Sequence, residues 1–421
     1  MSELPEGWSE EPFSQVARYA SGRTPARANA DYWKSGANQV PWVAIADMEN
    51  YGTITKTKES ISETAFEDVF HGRIVPAGTL LMSFKLTIGR IATLGIPACH
   101  NEAIISIYPR DGVDQRYLGY FLSHVDYTNH QDRQVKGNTL NQDKINRIPV
   151  LLPPLHEQRA ISGVLDLCRA GINAELTAEN TTTELKRTTM RELFTHGLRG
   201  EAQKETEIGL VPESWVETTF AELGEIVTGT TPPTKNRAYY EYGDIPFISP
   251  GDIEHGLPIK STQKCITDAG LYVSRSLPVG SICVVCIGST IGKVGRTTAA
   301  TSTTNQQINA IVPSASYNNN YLSHLLTYHS DIVRNAASPS PVPILSKGAF
   351  EKLILFTSTS SDEQIKIASI LDAIDRKIEL HREKRAVLHE LFQSLLHKLM
   401  TGEIRAADLD LSALPTGTSA A

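Results

Sequence analysis

The sequence lacks the features of a membrane protein or a secreted protein. None of its apolar stretches approaches the roughly 18–20 residues that a membrane span requires. The start of the chain is acidic and contains proline, which is unlike a signal peptide. We therefore expect a cytoplasmic protein with no membrane partner.

Cysteine is scarce, and the five cysteines leave an odd one over, which argues against a disulfide framework. Cys283 and Cys286 have the spacing of a metal or redox pair, but no second pair exists to close a zinc site. We predict buried structural thiols. The twelve histidines show no spacing typical of metal ligands, so we predict no metal site.

An overall positive charge is also missing. The formal net charge is −7, and no segment of the chain forms a basic arm. Binding to nucleic acid would therefore depend on local patches rather than on an overall positive field.

Catalytic motifs are absent as well. An adenine methyltransferase would need an Asn- or Asp-Pro-Pro-aromatic loop to hold a flipped base, and neither Pro153-Pro154 nor Pro232-Pro233 fits it. Residues 288–293, Gly-Ser-Thr-Ile-Gly-Lys, are one residue too short for a phosphate-binding loop. We predict no catalytic residue and no cofactor bound by this chain.

What the sequence does contain is an internal repeat. Residues 4–8, Leu-Pro-Glu-Gly-Trp, match residues 211–215, Val-Pro-Glu-Ser-Trp. Further short matches follow in the same order, including Gly22 with Gly229, and residues 88–91 with residues 291–294. The matching residues are turn formers and apolar positions, whereas the stretches between them differ. This pattern indicates one scaffold that carries two different surfaces.

Each repeat contains a block of mixed α and β structure followed by a long helical run. Short apolar runs predict buried strands, and longer runs predict single helices at 115–129 and 320–333; the strands are expected at 80–84, 104–108, 281–287 and 308–312. Apolar residues at heptad spacing in 362–400, such as Leu371, Ile378 and Leu399, predict a rod with one apolar face. Its partner is expected to be the first rod, packed antiparallel, so that a pseudo-twofold axis relates the halves.

These motifs, in order and doubled, resemble the DNA-specificity subunit of type I restriction-modification systems over nearly the whole chain. The resemblance depends on the segment 4–8, the Gly-x-Thr-Pro turns at Gly22 and Gly229, residues 137–158, and the ending 399–402, Leu-Met-Thr-Gly. It implies two tandem target-recognition domains and two long antiparallel coiled-coil helices. The expected boundaries are 1–152 for the first domain, 153–205 for the central helix, 206–358 for the second domain, and 359–421 for the C-terminal helix and tail.

The resemblance also implies a function. Each domain would read one half of a bipartite double-stranded DNA target, and the helices would set the spacer and dock two methyltransferase subunits for N6-adenine methylation. Restriction and translocase subunits would cut unmodified DNA. S-adenosylmethionine, Mg²⁺ and ATP would belong to those partners. The second block departs from the family pattern at 338–341, Ser-Pro-Ser-Pro, where the first block has Gly-Asn-Thr.

Candidates for DNA contact are Arg, Lys, Asn and Gln residues in the turns where the two blocks differ, because these side chains read base edges or hold phosphates. In the first block they are Arg23, Arg27, Lys34, Lys85, Arg90, Arg133, Lys136, Asn138 and Lys144. In the second block they are Lys235, Asn236, Arg237, Lys293, Arg296, Asn305, Gln306, Gln307 and Lys347.

Three further hypotheses are open at this point. The threonine-rich segment 297–304 lacks an apolar period, which favours a flexible loop that becomes ordered on DNA. The alternatives to DNA recognition are a coiled-coil scaffold that binds no DNA and an intrinsic nuclease, although no acidic cluster in the sequence requires the latter.

Overall fold

The computed structural model describes residues 4–34, 38–127, 132–134 and 137–409. These residues combine helices and strands, so the predicted mixed α and β class is confirmed. They divide into two compact units. Unit 1 contains the residues up to Glu175 and those from Lys384 onward, and unit 2 is Leu176–Glu383. Within the described ranges, none of the helices combines the length and the apolar character of a membrane span.

In unit 1, β2, β9, β6, β7 and β4 form a five-stranded sheet in that order, and β5, β3 and β8 form a smaller one. The strands are β1 Ser9–Pro12, β2 Ala17–Ser21, β3 Val40–Val43, β4 Gly52–Ile54, β5 Glu59–Ile61, β6 Leu80–Ser83, β7 Ile91–Leu94, β8 Cys99–His100, β9 Ile104–Pro109, β10 Asp132–Gln134, β11 Gly137–Thr139 and β12 Pro149–Leu152. The helices are α1 Phe13–Val16, α2 Glu63–Phe70, α3 Gln115–His124, α4 Gln142–Asn146 and the start of α5 Leu155–His196.

Unit 2 repeats this topology. Its five-stranded sheet has the order β16, β24, β21, β22, β18, which matches unit 1 strand by strand, and its second sheet has the order β19, β17, β23, β20. The strands are β13 Gln203–Thr206, β14 Gly209–Pro212, β15 Val216–Thr219, β16 Gly224–Thr228, β17 Ile245–Ile248, β18 Leu257–Ile259, β19 Lys264–Ile266, β20 Ser276–Pro278, β21 Ile282–Val285, β22 Val294–Thr297, β23 Thr301–Thr304, β24 Ile308–Pro313 and β25 Ile354–Thr357. The helices are α6 Phe220–Leu223, α7 Asp268–Tyr272, α8 Asn319–Tyr328, α9 Ser330–Asn335, α10 Lys347–Glu351 and the start of α11 Ser361–Thr401.

The four strands predicted from apolar runs are present as β6, β9, β21 and β24, whose central residues are buried. The helix predicted at 320–333 is interrupted. His329 leaves helical geometry, with φ −94° and ψ 24°, so α8 and α9 are separate helices. The helix predicted at 115–129 ends at His124, because Val125 has extended geometry with ψ 130°.

Most of the threonine-rich segment 297–304 is strand rather than loop: Thr297 ends β22, and only residues 298–300 link it to the next strand. Thr301–Thr304 forms β23, which pairs with β17 on one side and β20 on the other. Ser302 and Thr303 are buried in this sheet. The hypothesis of a flexible loop that becomes ordered on DNA is therefore wrong for Thr301–Thr304, because backbone pairing on both sides already fixes this part of the segment.

The two long helices pack antiparallel, as predicted. In unit 2, Arg382 Nε on α11 lies 2.7 Å from Glu179 Oε1 on α5, and farther along α5 the Lys186 ammonium lies 2.6 Å from Asp375 Oδ1. From Glu179 to Lys186 along α5, the partner on α11 changes from Arg382 to Asp375, so the two helices run in opposite directions. In unit 1, the beginning of α5 and the end of α11 contribute to one core cluster, in which Leu165 is buried together with Leu396.

Each long helix begins with a glutamine that fastens it to the neighbouring sheet domain. Gln158 Oε1 accepts a hydrogen bond from Asp114 N, which starts the turn into α3, and its amide nitrogen donates to Gly112 O and Pro153 O. Gln364 makes the equivalent bond with Asn318 N before α8. Both glutamines are buried, so their hydrogen bonds are not shared with water. These two joints give the Glu-Gln motif a structural role.

The predicted burial of the Cys283 and Cys286 thiols is confirmed. Both belong to the central strand region of unit 2. Burial raises the pKa of the Cys283 thiol to about 12 and that of Cys286 to about 11. Because the thiolate is the metal ligand and the nucleophile, these two side chains act as apolar core residues.

Candidate nucleic-acid interface

Four segments adjoin one another in unit 1, and backbone hydrogen bonds join each to the next. Arg23 N donates to His100 O (2.9 Å), Phe84 N donates to Ala103 O (2.9 Å), and Leu140 N donates to Phe84 O (3.0 Å). We call these segments the loop edge of unit 1; they are residues 22–25, 84–90, 100–103 and 137–140.

Unit 2 has the same arrangement at the repeat-equivalent positions. Thr230 N donates to Thr304 O (2.9 Å), Cys286 N donates to Gln307 O (2.8 Å), and Leu345 N donates to Cys286 O (2.8 Å). The same backbone frame therefore presents two different sets of side chains. We call these segments the loop edge of unit 2; they are residues 229–236, 286–293, 304–307 and 338–345.

The glycine of each Gly-x-Thr-Pro turn is required by this frame. A Cβ atom added to Gly22 would lie 2.0 Å from His100 O, and one added to Gly229 would lie 2.0 Å from Asn305 O. Both distances are far below van der Waals contact, so any larger residue would separate residues 22–25 from residues 100–103 in unit 1, and residues 229–236 from residues 304–307 in unit 2.

Two predicted DNA-binding residues of unit 1 are held in ion pairs beside a tryptophan. Arg27 donates two hydrogen bonds to Glu59, at 2.6 and 2.9 Å, and its guanidinium stacks 3.8 Å from the Trp33 ring centre. The hydrogen bonds from Arg27 lower the pKa of the Glu59 carboxyl. Lys34 is paired with Asp31. A phosphate group would have to compete with these carboxylates for either cation.

Arg90 and its repeat counterpart Lys293 support the backbone. Arg90 Nη1 donates to Ile45 O (3.2 Å) and Met48 O (3.1 Å), and Lys293 Nζ donates to Ile253 O (3.2 Å). Arg90 therefore binds carbonyl groups of the turn before β4, and Lys293 binds a carbonyl group of the turn before β18. Their contact with DNA stays a prediction.

Two other cations of unit 1 belong to the loop edge itself. Arg23 follows the required glycine, and its Nη1 donates to Val69 O (2.7 Å). Lys85 is half-buried, and its ammonium lies 5.3 Å from the centre of the Phe84 ring.

The hairpin of β10 and β11 places two further candidates opposite each other, since Arg133 and Asn138 are partners in its register. Their side chains and the whole of Lys136 lie outside the described residues. Lys144 lies on α4, and its backbone N–H donates to the side chain of Asn141. The hydrogen bond from Leu140 N to Phe84 O joins the segment after this hairpin to the loop that carries Lys85, whereas Lys144 lies on α4.

In unit 2, three candidates follow the second Gly-x-Thr-Pro turn. Lys235 is exposed. The side chain of Asn236 caps a short helical turn by accepting a hydrogen bond from Ala238 N (3.2 Å). Arg237 is also exposed, and its Nη1 lies 3.6 Å from Glu241 Oε1.

The Asn-Gln-Gln triplet forms the centre of the loop edge of unit 2. Asn305 Oδ1 accepts a hydrogen bond from Gln307 N (3.0 Å), and Gln307 Nε2 lies 3.5 Å from Ile287 O. Gln306 accepts a hydrogen bond from the Thr231 hydroxyl, which links it to the first segment. Amide side chains held in this way keep donors and acceptors in fixed positions, as direct base readout requires.

Two candidates lie outside the loop edge of unit 2. Lys347 Nζ lies 3.5 Å from Glu351 Oε1 on α10. Arg296 on β22 lines a cleft between the sheet and α11. The structure does not bring either residue together with the Asn-Gln-Gln triplet.

The cleft beside Arg296 holds a group whose donor atoms resemble a metal site. One ligand atom each of His324, Asp372 and Asp375 lie within 4.8 Å of one another. However, the Lys186 ammonium lies 2.6 Å from Asp375 Oδ1 and supplies a positive charge at this point. His324 Nε2 lies 2.9 Å from Asp372 Oδ1. The arrangement is therefore an ion-pair network between the helices and the sheet domain.

Sequence reasoning did not single out Leu86, although it lies at the tip of the loop edge of unit 1. This side chain is 66% exposed, and its φ is +65°. The repeat gives no residue-by-residue counterpart at this position, because the loop from Ser83 to Gly89 is one residue shorter than the loop from Val285 to Gly292.

The comparisons with known proteins agree with this duplicated architecture. The family described as "Type I restriction modification DNA specificity domain" matches residues 5–185 and again residues 212–390. Together these two matches cover most of the chain.

Curated relatives extend over nearly the whole length. A putative type I restriction enzyme MjaX specificity subunit from Methanocaldococcus jannaschii is 24% identical over 96% of this chain and 95% of its own. The EcoR124I/EcoR124II specificity subunit from Escherichia coli is 29% identical over 67% of this chain and 70% of its own.

Two solved structures share the fold. The S subunit of a type I restriction-modification system from M. genitalium aligns with TM-score 0.58 and 12% identity over 95% of this chain and 97% of its own. A chain from a study of complex assembly and conformational transition of the type I R-M system aligns with TM-score 0.59 and 17% identity, over 96% and 100% of the two chains. The relatives are specificity subunits, so the predicted non-catalytic role is confirmed. The chain belongs to the type I restriction-modification DNA specificity family.

Proposed function

We propose that the two units of this chain read the two halves of a bipartite duplex DNA target in the cytoplasm. The observation that carries the proposal is the repeated loop edge, which has equivalent backbone hydrogen bonds and different side chains in the two units. Base edges are distinguished by side chains on a fixed frame, so one scaffold with two sets of side chains suits two different half-sites.

The long helices would set the length of the unread spacer. α5 has 42 residues, which at about 1.5 Å per residue gives a rod of roughly 63 Å. Buried ion pairs and apolar packing join it to α11, as described for Lys186 with Asp375. A rod supported in this way resists bending, and a stiff connection is what a fixed spacer requires.

The same helices would dock two methyltransferase subunits. On α11, Leu380, Val387 and Leu391 are exposed at spacings of seven and four residues, which places them along one helix face. Leu185 on α5 is also exposed. Exposed apolar rows on a helix pair are typical of protein interfaces. In this proposal the methyltransferase subunits hold S-adenosylmethionine, and restriction subunits use Mg²⁺ and ATP.

Footprinting in the presence of the methyltransferase subunit tests the reading of DNA. Two protected patches separated by an unprotected spacer support the proposal. A protein that binds the methyltransferase but protects no sequence would be a scaffold. DNA cleavage by the isolated chain with Mg²⁺ would instead identify it as a nuclease.

Methylome sequencing of cells that carry this chain with its methyltransferase subunit gives the target directly. We expect one split motif with N6-methyladenine in each half. A continuous motif would contradict the division of labour between the two units.

A further inference from the structure

The loop between β6 and β7 presents an apolar side chain in an unfavourable backbone conformation. Leu86 has φ +65°, in the left-handed region, and is 66% exposed. Left-handed geometry is unfavourable for a leucine because its Cβ crowds the backbone, and a side chain that is two-thirds exposed gains little burial energy in return. Such a combination marks a position where another requirement outweighs the stability of the free protein.

The repeat identifies what an unconstrained residue would be at this position. Phe84 and Cys286 are equivalent anchors. The backbone N–H of Phe84 donates to the loop before β9 and that of Cys286 to the loop before β24, and the carbonyl of each accepts a hydrogen bond from the last segment of its loop edge. Leu86 and Gly288 each follow two residues later. Gly288 also has a positive φ, +103°. Each loop therefore has a left-handed residue two positions after this anchor, although the loop of unit 2 is one residue longer before Gly292. Unit 1 uses leucine there, whereas unit 2 uses glycine, which adopts this geometry without strain.

The tip that carries Leu86 is held at its base. Gly89 N donates to Ser83 O (2.9 Å), and Arg90 N donates to the Ser83 hydroxyl (3.2 Å). That hydroxyl in turn donates to Thr87 O. These bonds close the turn, so its backbone loses little further conformational freedom when the exposed side chain enters a partner.

The surroundings of the tip fit a duplex. Lys85 precedes Leu86 in the chain, and its ammonium can hold a phosphate beside it. The segment after the hairpin of Arg133 and Asn138 is hydrogen-bonded to the same loop, from Leu140 N to Phe84 O. A cation and one exposed apolar side chain are therefore neighbours on a loop that is bonded to the segment after the hairpin.

We propose that Leu86 is an apolar wedge that inserts between neighbouring base pairs of the half-site read by unit 1. Leucine is among the side chains that proteins insert at base steps, where it partly unstacks and kinks the duplex. The inference rests on the proposed function, because it names how one of the two half-sites is engaged. Unit 2 has Gly288 after the equivalent anchor and therefore no wedge at this point, and its own exposed left-handed residue, Tyr242, lies outside its loop edge.

The test uses the full chain with its methyltransferase subunit and duplexes that carry the methylome-defined target. Each duplex has 2-aminopurine at one position, and unstacking of this base raises its fluorescence. The unmodified chain is expected to raise the signal at one step of one half-site. Leu86→Ala should abolish that rise and weaken binding by roughly tenfold, the effect of losing one wedge contact. Ile74→Ala, which truncates an exposed apolar residue outside the loop edge, should change neither quantity.

A second variant separates the wedge from the fold. Leu86→Gly keeps the left-handed turn without strain, so its thermal stability should equal or exceed that of the parent chain while the fluorescence rise is lost. The wedge is refuted if either variant keeps the parental fluorescence rise, or if replacing thymine by deoxyuracil in that half-site reproduces the whole loss of binding, which would identify a thymine-methyl contact. If the unmodified chain protects no target at all, the proposed function itself fails.

Discussion

The two copies of the repeat share different features at the glutamine joints, where each long helix is fastened to its sheet domain, and at the loop edges. At the joints the same side chain makes the same bond in both copies, with Gln158 and Gln364 each accepting from the backbone N–H that precedes a helix. At the loop edges the backbone frame is repeated together with residues that hold it, such as Asn101 and Asn305, whereas other side chains differ: the residue two positions after the same anchor is Leu86 in one unit and Gly288 in the other. A side chain is retained where it bonds to the backbone that holds the unit together, and it varies elsewhere on the loop edge.

The helix pair adds a second contrast. In unit 1 its contacts include the apolar cluster around Leu165 and Leu396. In unit 2 it also contains the ion pair of Lys186 and Asp375, whose side chains are only 10% and 16% exposed. Removing one member of a buried pair leaves an uncompensated charge, which is costly.

The largest effect is therefore expected from Lys186→Met. Loss of the ammonium should lower the free energy of unfolding by about 3–5 kcal/mol, measured by urea denaturation. The matched control is Arg187→Met, which breaks the exposed pair of Arg187 and Glu184 (79% and 66% exposed) and should cost less than about 1 kcal/mol. Equal effects of the two variants would mean that the buried pair does not hold the helices together.

The joints give the next largest effect. Gln158→Leu removes an acceptor for Asp114 N and a donor to Gly112 O and Pro153 O, and should cost about 2–3 kcal/mol in unfolding free energy. Gln364→Leu should cost a similar amount, since both side chains are buried. Urea denaturation of the two variants checks the equivalence. A lower unfolding free energy in only one of the two variants would show that the repeated hydrogen bond does not stabilise both units equally.

The smallest effect concerns pH. Burial alone would raise the pKa of Asp372, but hydrogen bonds from His324 and Asn320 outweigh it and hold that pKa below the ordinary value of 3.8. Because the pKa is depressed, the stabilisation is complete above pH 3.8 and is lost as the pH falls through the folded-state value. The contribution is expected to be about 1 kcal/mol.

Asp372→Asn should remove this pH dependence. Its unfolding free energy should lie below that of the parent chain at about pH 6, and the difference should shrink toward about pH 3. Asp166→Asn provides the same measurement in unit 1, where the Asp166 carboxylate accepts hydrogen bonds from Tyr120 and Arg116 instead. A difference for Asp372→Asn that grows on acidification would contradict the assignment.

The sequence was sufficient for features that repeat or have a period. The duplication, the strands β6 and β21 and both long helices could be predicted, because apolar spacing and turn residues are local signals. The threonine-rich segment was predicted wrongly. β23 is a strand because β17 and β20 supply its backbone partners, and those partners lie far away in the sequence.

Side-chain roles at the loop edge were harder to predict for the same reason. Arginine is a residue type that commonly contacts DNA, yet the Arg90 guanidinium donates hydrogen bonds to the carbonyls of Ile45 and Met48, some forty residues earlier in the chain. Residue type and turn position cannot distinguish a cation that holds a turn from one that faces outward. The backbone angle of Leu86 was equally hidden, since leucine is not expected in a left-handed turn.

The central claim is that each unit reads its own half of the target, and methylome sequencing of two paired variants tests it most directly. One variant changes the loop edge of unit 1, with Lys85→Ala and Asn138→Ala. The other changes the loop edge of unit 2, with Lys235→Ala and Gln306→Ala. We predict that each relaxes a different half of the methylated motif and leaves the spacer length unchanged. Relaxation of the same bases by both variants, or of both halves by either one, would contradict the account.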